Sequence, residues 1–361
     1  MSLYLKWLDN LIAEIDDNYN VKFLGTFTNA VTEAYRGGAD TWTSEDFRNV
    51  LKERIFSQQR RDINVLLARI GLTSYDVFEI AKRTRAFSLS DKFWIAYAPD
   101  EKYETAFLSV FTELYNNKVD QLGDSIASPS GCNQKSYLFN KDGSFGIAKK
   151  RLHRFSDDAN NEVVVYRLCQ LLEIDCCYAE KIDEDTVFSR YQYNINKEYL
   201  VHARQLTDGK MLDCSTYDEF VNVMFRDNAD NIRRMLLLDF ITLQEDRHLS
   251  NWAFLFSDTS RERMYSLYDN GRSLLSDADE GLAGKILENP QINSTGIGLV
   301  GSYFDIIQMI ADDSRISSLI NLNITDERLG QCFEGLTGYP QWKIEANIQW
   351  INWALSELKK A

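Results

Sequence analysis

Three side chains in the second half of the chain have the types and spacing that metal-assisted chemistry requires. Asp246 lies five residues before Asn251, at the end of an apolar helix, and Asp269 lies 18 residues after Asn251. Between the last two, apolar runs at Trp252 to Phe256 and Met264 to Tyr268 flank a polar turn of seven residues, which predicts a β-hairpin. Because antiparallel pairing returns the chain to its starting side, we expect Asn251 and Asp269 to be neighbours.

This set of oxygen ligands is typical of phosphoryl transfer. An Asp, an Asn five residues later, a hairpin and a further Asp is the arrangement of catalytic base and magnesium ligands in kinase-type reactions. Carboxylate and amide oxygens suit Mg²⁺, which keeps several waters and bridges nucleotide phosphates. Taken singly, these residues could be turn formers, since Asp and Asn are common at helix ends and hairpin flanks. Their joint spacing favours the functional interpretation.

Phosphoryl transfer also requires a cation on the phosphates, held in place by a carboxylate. Lys149, in a predicted strand, is the candidate cation, and Glu162, on the following helix, is its candidate partner. Lys150 is the alternative, and because strand side chains alternate between faces, only one of the two lysines can point into a cleft. Lys149 shares its face with the apolar Ile147, which favours Lys149.

The elements that must position these residues change in character along the chain. Residues 1–120 have apolar positions at helical spacing and predict a helical N-terminal region. Residues 121–205 predict a small antiparallel sheet carrying one helix, and residues 206–361 predict a helical part that contains the hairpin. The fold class is therefore α+β. The predicted strands outside the hairpin are 135–139, 145–151, 186–191 and 198–203, and the predicted helices beyond residue 120 are 157–172, 217–225, 232–243, 303–310 and 342–358.

Several segments resemble one family, the HipA-like serine/threonine kinases of bacteria. The family's phosphate loop is similar to SPSGCNQKSYLF, its lysine strand to GIAKK, and its glutamate helix with the following strand to NNEVVVYRLCQLLEIDCCYAEKI. Its catalytic loop is similar to DRHLSNWAFLF, its metal-binding segment to LYDNGRSLL, and the lead-in of one branch to SLSDKFWIAY. The resemblance covers about residues 88 to 275. It implies a two-lobed protein-kinase-like fold, with a small antiparallel sheet lobe, a helical lobe and, here, an N-terminal helical extension.

The resemblance also implies roles for single residues. Asp246 would be the catalytic base that accepts the substrate hydroxyl proton, and Asn251 and Asp269 would hold Mg²⁺. Lys149 would contact the nucleotide phosphates and Glu162 would orient it. The further implied nucleotide-binding residues are Ser130, Gly131, Asn133, Lys135, His202 and Ala203. Ser128 stands where family members can carry a self-phosphorylated serine, with Ser130 as the alternative.

The activity implied by the resemblance is ATP- and Mg²⁺-dependent phosphoryl transfer to a Ser or Thr hydroxyl of a protein substrate, in a chain with an antitoxin-type or regulatory protein partner. Two alternatives stay open. One is a small-molecule phosphotransferase on a kinase-like scaffold, and the other is a nucleotide-binding pseudokinase regulator. The chain departs from the family at Pro129, which stiffens the phosphate loop, and in residues 1–85, where the family's helical elements are not recognisable.

Composition limits the partners and the setting. The chain has 361 residues, with 40 Lys and Arg against 54 Asp and Glu, and its net charge of −14 disfavours direct nucleic-acid binding. No apolar run approaches the roughly eighteen uncharged residues of a membrane span, and the first residues lack the features of a signal peptide. A cytoplasmic location is predicted. The six cysteines form no Cys-x-x-Cys pair and are predicted to be buried free thiols.

Two other features are not assigned to the chemistry. Gly296, Gly298 and Gly301 form a Gly-x-Gly-x-x-Gly string, but a polar segment precedes them where a dinucleotide-binding loop would follow a strand, so a flexible turn is predicted. His248 lies in the catalytic loop, yet an Asp base leaves imidazole no required part, so its role is predicted to be structural. His153 and His202 have no companions at metal-ligand spacing.

Overall fold

The structure is a computed structural model that describes residues 3–88, 90–116, 135–139, 145–154, 156–194, 197–207, 209–276, 278–290, 303–312 and 316–360. Ser128, Ser130, Gly131 and Asn133 of the predicted phosphate loop lie outside the described residues, and so does the glycine string at 296–301.

A five-stranded sheet occupies much of the first 96 residues. Its strands are β1 (Leu3–Trp7), β2 (Asn10–Ile15), β3 (Val21–Phe23), β4 (Thr41–Trp42) and β5 (Phe93–Ala96), in the order β4-β3-β2-β1-β5. The pairings are antiparallel, and Leu5 lies opposite Ala13 of β2 and Ile95 of β5. The prediction of a purely helical region over residues 1–120 is therefore wrong.

The first hairpin shows why the sheet was missed. Leu3, Leu5 and Trp7 alternate along β1 and are buried, as a strand requires. The turn that follows carries an apolar residue, Leu8, which extends the alternation into an apparent helical pattern. Leu8 has a φ of 50°, a conformation that turns usually give to Gly or Asn. Asp9 and Asn10, which follow, are common turn residues, but the apolar Leu8 at the first turn position makes this signal hard to recognise.

Five helices accompany this sheet. They are α1 (Ala30–Arg36), α2 (Ser44–Lys52), α3 (Ile63–Arg69), α4 (Val77–Arg83) and α5 (Tyr103–Asn116). Asn29 and Thr43 begin α1 and α2 with capping boxes, in which each cap side chain accepts the backbone N–H of the third helical residue. Trp94 of β5 packs in one buried cluster with Ala106 and Val110 of α5.

The next elements confirm the sequence predictions to within one residue. Strands β6 (Lys135–Phe139) and β7 (Phe145–Lys150) form an antiparallel hairpin, with Lys135 opposite Lys149. The other elements are α6 (Asp158–Leu172), the antiparallel pair β8 (Ala179–Lys181) and β9 (Thr186–Arg190), and β10 (Tyr199–His202). Of these, only the short strand β8 was not predicted from the residue pattern, although the resemblance implied a strand after the glutamate helix.

The hairpin predicted after Asn251 is present, but its second strand lies earlier in the chain than predicted. Strands β11 (Ala253–Phe256) and β12 (Arg261–Met264) join β10 in a sheet of order β10-β11-β12. The predicted second strand at 264–268 is wrong, because the charged residues of β12 hide the true strand. The apolar run beyond β12 pairs elsewhere: Leu267 N–H donates to the Asp175 carbonyl at 3.1 Å, and Cys177 N–H donates to the Leu267 carbonyl at 2.8 Å.

Helices dominate the rest of the chain. They are α7 (Ala203–Leu206), α8 (Ala229–Thr242), α9 (Glu280–Glu288), α10 (Tyr303–Asp312), α11 (Ile316–Leu319), α12 (Asp326–Gln331) and α13 (Gln341–Lys360). The predicted helices at 232–243, 303–310 and 342–358 are thus confirmed as α8, α10 and α13. The helix predicted at 217–225 is instead a π-helical turn, Glu219–Met224, followed by a 3₁₀ turn, Arg226–Asn228.

Residue contacts divide the chain into two compact units. The first unit is Met1–Leu152, Tyr193–Val201 and Leu255–Glu262, and the second is His153–Gln192, His202–Phe254 and Arg263–Ala361. These limits differ from the predicted domains 1–120, 121–205 and 206–361, which stay a prediction. Lys135 and Lys149 belong to the first unit, whereas Glu162, Asp246, Asn251 and Asp269 all belong to the second.

The α+β fold class with antiparallel sheets is confirmed. In the described part of the chain, no helix is both long and apolar enough to cross a membrane. Four cysteines are buried free thiols, and Cys214 is free and partly exposed. The prediction is confirmed for the buried ones, which are Cys169, Cys176, Cys177 and Cys332, whereas Cys214 is free but not buried as predicted.

Candidate active site

The loop from Asp246 to Asn251 is closed by its own hydrogen bonds. Helix α8 ends at Leu243, whose φ of 51° turns the chain out of the helix. His248 N–H then donates to the Asp246 carbonyl at 2.9 Å, and Asn251 N–H donates to the His248 carbonyl at 2.8 Å. These bonds form two consecutive tight turns, so the predicted base and the predicted ligand lie at the two ends of one compact loop.

Asn251 is oriented for the role predicted for it. Its side chain is buried, and Nδ2 donates to the carbonyl oxygen of Asp246 at 2.7 Å. Only the nitrogen of an amide can donate to a carbonyl, so this bond identifies which amide atom is which. Oδ1 therefore faces away from that carbonyl and is the atom that could bind a cation.

Asp269 begins a short stretch, Asp269–Ser273, that we call the metal segment. It runs beside the residues that lead into the loop from Asp246 to Asn251. Gln244 Nε2 donates to the Asp269 carbonyl at 3.3 Å, and Glu245 N–H donates to the Arg272 carbonyl at 3.1 Å. Asp269 itself has a φ of 57°, a left-handed conformation that Asp adopts more readily than most residues. The hairpin has thus returned Asp269 to the loop that carries Asp246 and Asn251, as the sequence predicted.

Arg247 holds the loop and the metal segment together. Its side chain is completely buried, and its Nη1 donates to the carbonyls of Asn251 at 2.9 Å and Tyr268 at 2.7 Å. Its Nη2 donates to Asn270 Oδ1 at 2.6 Å and to Asp239 Oδ1 at 3.0 Å. One guanidinium therefore binds Asn251, a predicted ligand, and both chain neighbours of Asp269, the other predicted ligand. These bonds fix the backbones of the two predicted ligands relative to each other.

Sequence reasoning did not identify Arg247, Asp239 or Asn270. A signal for Asp239 was available, because it is the only charged residue in the apolar run Met235–Leu243. A carboxylate buried on such a helix requires a cationic partner, and the nearest Arg after the run is Arg247. Burial raises the pKa of Asp239 above its ordinary value, even though Arg247 lowers it.

Asp246 is exposed on one side and enclosed by protein on the other. Partial burial raises the pKa of Asp246, the negative charge of Asp269 raises it further, and His248 and Arg272 oppose both effects. The influence of Asp269 on this pKa is consistent with two carboxylates that share one site. His248 is exposed, and its Nδ1 accepts the Ser250 N–H at 3.1 Å, a structural contact like the one predicted.

Glu162 contacts the metal segment. It is buried on α6, and its Oε2 accepts the backbone N–H of Asn270 at 3.2 Å. Lys149 and Lys150 differ in exposure: Lys149 is buried on β7, whereas Lys150 is exposed. This difference favours Lys149 over Lys150 as the lysine that contacts the phosphates. Lys149 and Glu162 belong to different units, so their pairing stays a prediction.

The remaining predicted nucleotide-binding residues that the structure describes have definite surroundings. Lys135 lies on β6, where its carbonyl accepts from Arg60 Nη2 at 3.4 Å. His202 ends β10, and its Nδ1 shares a hydrogen bond of 2.8 Å with the Tyr268 hydroxyl, next to Asp269. Ala203 is buried and its N–H donates to the Trp252 carbonyl at 3.1 Å. The Ala203 N–H is thus committed to the protein, which limits what this residue can offer a nucleotide.

The donor set fits Mg²⁺ better than a softer metal. Within the described stretches, no group of three or more His, Cys, Asp or Glu side chains is placed to hold a metal ion by protein ligands alone. Asp269 and Asn251 Oδ1 supply two hard oxygen donors. Mg²⁺ commonly binds through one or two protein oxygens and completes its shell with water and phosphate oxygens.

Among the solved structures similar to this chain are the two that follow. The proinflammatory kinase CtkA of Helicobacter pylori is 17% identical, with a TM-score of 0.46 over 63% of this chain and 87% of that chain. A chain of the toxin–antitoxin complex of HipA, HipB and operator DNA from Shewanella oneidensis MR-1 is 12% identical, with a TM-score of 0.49 over 99% of this chain and 97% of that chain. No protein-family model and no curated protein matches the sequence.

Proposed function

We propose that this protein is a kinase-type phosphotransferase that uses ATP and Mg²⁺ to phosphorylate a Ser or Thr hydroxyl of a protein. The observation that carries the proposal is that two chain segments, one with Asn251 and one leading to Asp269, both bind the side chain of Arg247. A buried guanidinium that binds the carbonyls of Asn251 and Tyr268 keeps the loop from Asp246 to Asn251 and the metal segment in one arrangement. Phosphoryl transfer depends mostly on positioning and charge neutralisation, so this rigidity serves the reaction directly.

Each residue has one role in the proposed reaction. Asp246 accepts the proton of the attacking hydroxyl, and its raised pKa makes it a stronger base than an ordinary aspartate. Asn251 Oδ1 and Asp269 would hold Mg²⁺, which neutralises phosphate charge when bound. Lys149 would contact the phosphates, with Glu162 as its orienting partner. The nucleotide contacts of Ser130, Gly131, Asn133, Lys135, His202 and Ala203, and self-phosphorylation at Ser128 or Ser130, stay predictions, as does an antitoxin-type partner.

The base assignment is tested by Asp246→Ala. We expect transfer of label from [γ-³²P]ATP to fall by about 10² to 10⁴-fold, the usual contribution of a general base. The thermal transition should change little, because the Asp246 side chain is exposed on one side. Asp227→Ala, at an exposed aspartate of the same unit, is the matched control and should retain activity. Full activity in Asp246→Ala would show that Asp246 is not the base.

The metal assignment is tested by Asp269→Ala. Loss of a carboxylate ligand should raise the Mg²⁺ concentration required for half-maximal turnover or abolish turnover. Titration of Mg²⁺ at constant ATP, with wild type and variant side by side, measures this effect. If the two titration curves superimpose, Asp269 is not a magnesium ligand.

The identity of the acceptor separates this proposal from its alternatives. Label that appears on the protein itself or on an added protein acceptor supports the kinase. Label that appears only on a hydroxylated small molecule, such as an aminoglycoside, would indicate a small-molecule phosphotransferase. ATP binding without transfer to any acceptor would indicate a pseudokinase regulator.

A further inference from the structure

A buried polar network behind the metal segment is not used by the proposed reaction. Asn161, near the start of α6, is fully buried and donates from Nδ2 to the carbonyls of Gly271 at 3.0 Å and Ser273 at 2.6 Å. The next residue, Glu162, accepts the N–H of Asn270 at 3.2 Å. Two consecutive side chains of α6 thus bind three of the four residues that follow Asp269.

The orientation of Asn161 is set by the C-terminal part of the chain. The Tyr339 hydroxyl donates to Asn161 Oδ1 at 2.5 Å, and Asn347 Nδ2 donates to the Tyr339 oxygen at 3.4 Å. Because Asn161 Nδ2 faces two carbonyls, its Oδ1 requires a donor in this buried place. Burial also keeps the pKa of Tyr339 well above its usual range, so the hydroxyl keeps the proton that it donates.

A second contact anchors the same C-terminal stretch. The ammonium of Lys343 binds Asp157 Oδ2 at 2.6 Å, just before α6, and the carbonyl of Ser276 at 3.1 Å, just beyond the metal segment. Tyr339 and Lys343 therefore connect the C-terminal stretch to both the start of α6 and the chain that follows Asp269. A change in this stretch would therefore alter the backbone position of the metal segment without a direct contact to Asp269.

We propose that Tyr339 is a positioning residue for Asp269 and acts through Asn161. The inference rests on the proposed function, because it takes Asp269 to be a magnesium ligand. Asp269 has a left-handed backbone that its surroundings must maintain, and the carbonyls bound by Asn161 are those of Gly271 and Ser273, two and four residues beyond it. Tyr339 keeps Asn161 from rotating, so it holds the ligand in its binding conformation without touching metal or substrate.

The test compares Tyr339→Phe with wild type in the full chain. Loss of the hydroxyl leaves Asn161 Oδ1 without its donor and allows the amide to leave the two carbonyls. We expect faster amide hydrogen exchange at Asn270 and Leu274, measured by mass spectrometry. We also expect the Kd for Mg·ATP, measured by calorimetry, to rise by about threefold to tenfold, the effect of one lost hydrogen bond.

The matched control is Tyr178→Phe, which removes a hydroxyl of the same unit that binds Glu180 at 2.9 Å. It should leave both the exchange at the metal segment and the Kd unchanged. Asn161→Asp is the second variant: it replaces the donor by a carboxylate facing two carbonyls and should have a larger effect on both measurements. Unchanged exchange at Asn270 and Leu274 in Tyr339→Phe, together with an unchanged Kd, would overturn the proposal whatever the result for Asn161→Asp.

The two proposals can fail separately. If wild type binds Mg·ATP but Tyr339→Phe changes neither exchange nor Kd, the positioning role is wrong and the proposed function stands. If wild type neither binds nor turns over Mg·ATP, the proposed function is wrong, and with it the metal role of Asp269. Hydrogen exchange then still decides whether Tyr339 orders the segment.

Discussion

Arg247 and Asp239 form a completely buried ion pair. Its main effect is to position the backbone around the site, and it adds little to stability. A buried pair gains little net free energy over apolar residues of similar size, because both charges lose their water. Here the guanidinium also binds the carbonyls of Asn251 and Tyr268, contacts that an apolar residue could not make. We infer that the pair holds the two predicted ligand residues in place, while Asp239 supplies the charge that keeps Arg247 buried.

The Arg247→Met substitution should reduce stability in a pH-dependent way. Loss of one partner of a buried pair costs about 3–5 kcal/mol, because the other charge is left unpaired. Burial already raises the pKa of Asp239, so the folded state keeps its proton to higher pH than the unfolded state does. Such a group makes the free energy of unfolding fall as pH rises through the interval between the two pKa values. Without Arg247 the folded pKa rises further, and the loss should be larger at about pH 8 than at about pH 5.

Urea denaturation of Arg247→Met and wild type at both pH values measures this difference. The double variant Asp239→Asn/Arg247→Met is the control, since it has no carboxylate to titrate, and its loss should be the same at both. An equal loss for Arg247→Met at the two pH values would mean that Asp239 does not carry the effect.

At the scale of elements, the start of α6 and the metal segment pack with almost no space between them. A Cβ added to Gly271 would lie 3.1 Å from both the Cβ and the carbonyl oxygen of Asp158. Contacts this short force backbone movement, because neither neighbouring atom belongs to the far end of a flexible side chain. Glycine at this position therefore permits the close approach that lets Asn161 reach the carbonyls of the metal segment.

Gly271→Ala should destabilise the protein by about 1–3 kcal/mol, the usual effect of overpacking. Gly284→Ala is a matched control, because that glycine lies in α9 with no other atom within 4 Å of an added Cβ. There alanine should stabilise by about 0.5–1 kcal/mol through its better helix propensity. Denaturation midpoints of the two variants would thus move in opposite directions. A Gly271→Ala midpoint equal to or above that of wild type would contradict the close packing at Gly271.

The sequence allowed prediction of those elements whose pattern repeats over several residues. Helices α6, α8 and α13 have long apolar stripes, and the hairpin of β6 and β7 alternates around a recognisable turn, so their bounds were found to within a few residues. The five-stranded sheet was not found, because its strands have two to six residues and an apolar Leu8 occupies the first turn.

The candidate site divides in the same way. The spacing of Asp246, Asn251 and Asp269 is visible along the chain, because one hairpin joins them. Asp239 and Arg247 are eight residues apart, and the single charge inside the apolar run was a signal for them. The contacts of Asn161 are not visible along the chain, because its partners Gly271 and Ser273 lie 110 and 112 residues away. A hydrogen bond such as that from Tyr339 to Asn161 spans 178 residues and leaves no local pattern.

At the scale of the whole molecule, the first unit is assembled from three separate segments of the chain. Asn29, before α1, donates from Nδ2 to Asp258 Oδ1 at 3.2 Å, and the ring of Trp7 lies 4.8 Å from that of Tyr199. Both contacts join the N-terminal sheet region to segments more than 190 residues later, within the same unit. The N-terminal residues are thus an integral part of the first unit and not a separable extension.

Deletion of residues 1–85 should therefore unfold the first unit, because these residues are part of it. It removes β1, the strand that pairs with β5, and leaves β5 with an exposed edge that favours aggregation. It also removes Arg54, whose guanidinium binds Asp91 at 2.7 Å in a buried pair, and this loss alone costs about 3–5 kcal/mol. We expect aggregated material in size-exclusion chromatography, with loss of one calorimetric transition. Val65→Asp, at an exposed apolar residue of the intact chain, is the control and should stay monodisperse. A folded truncated protein that keeps every transition would show that the N-terminal sheet is dispensable.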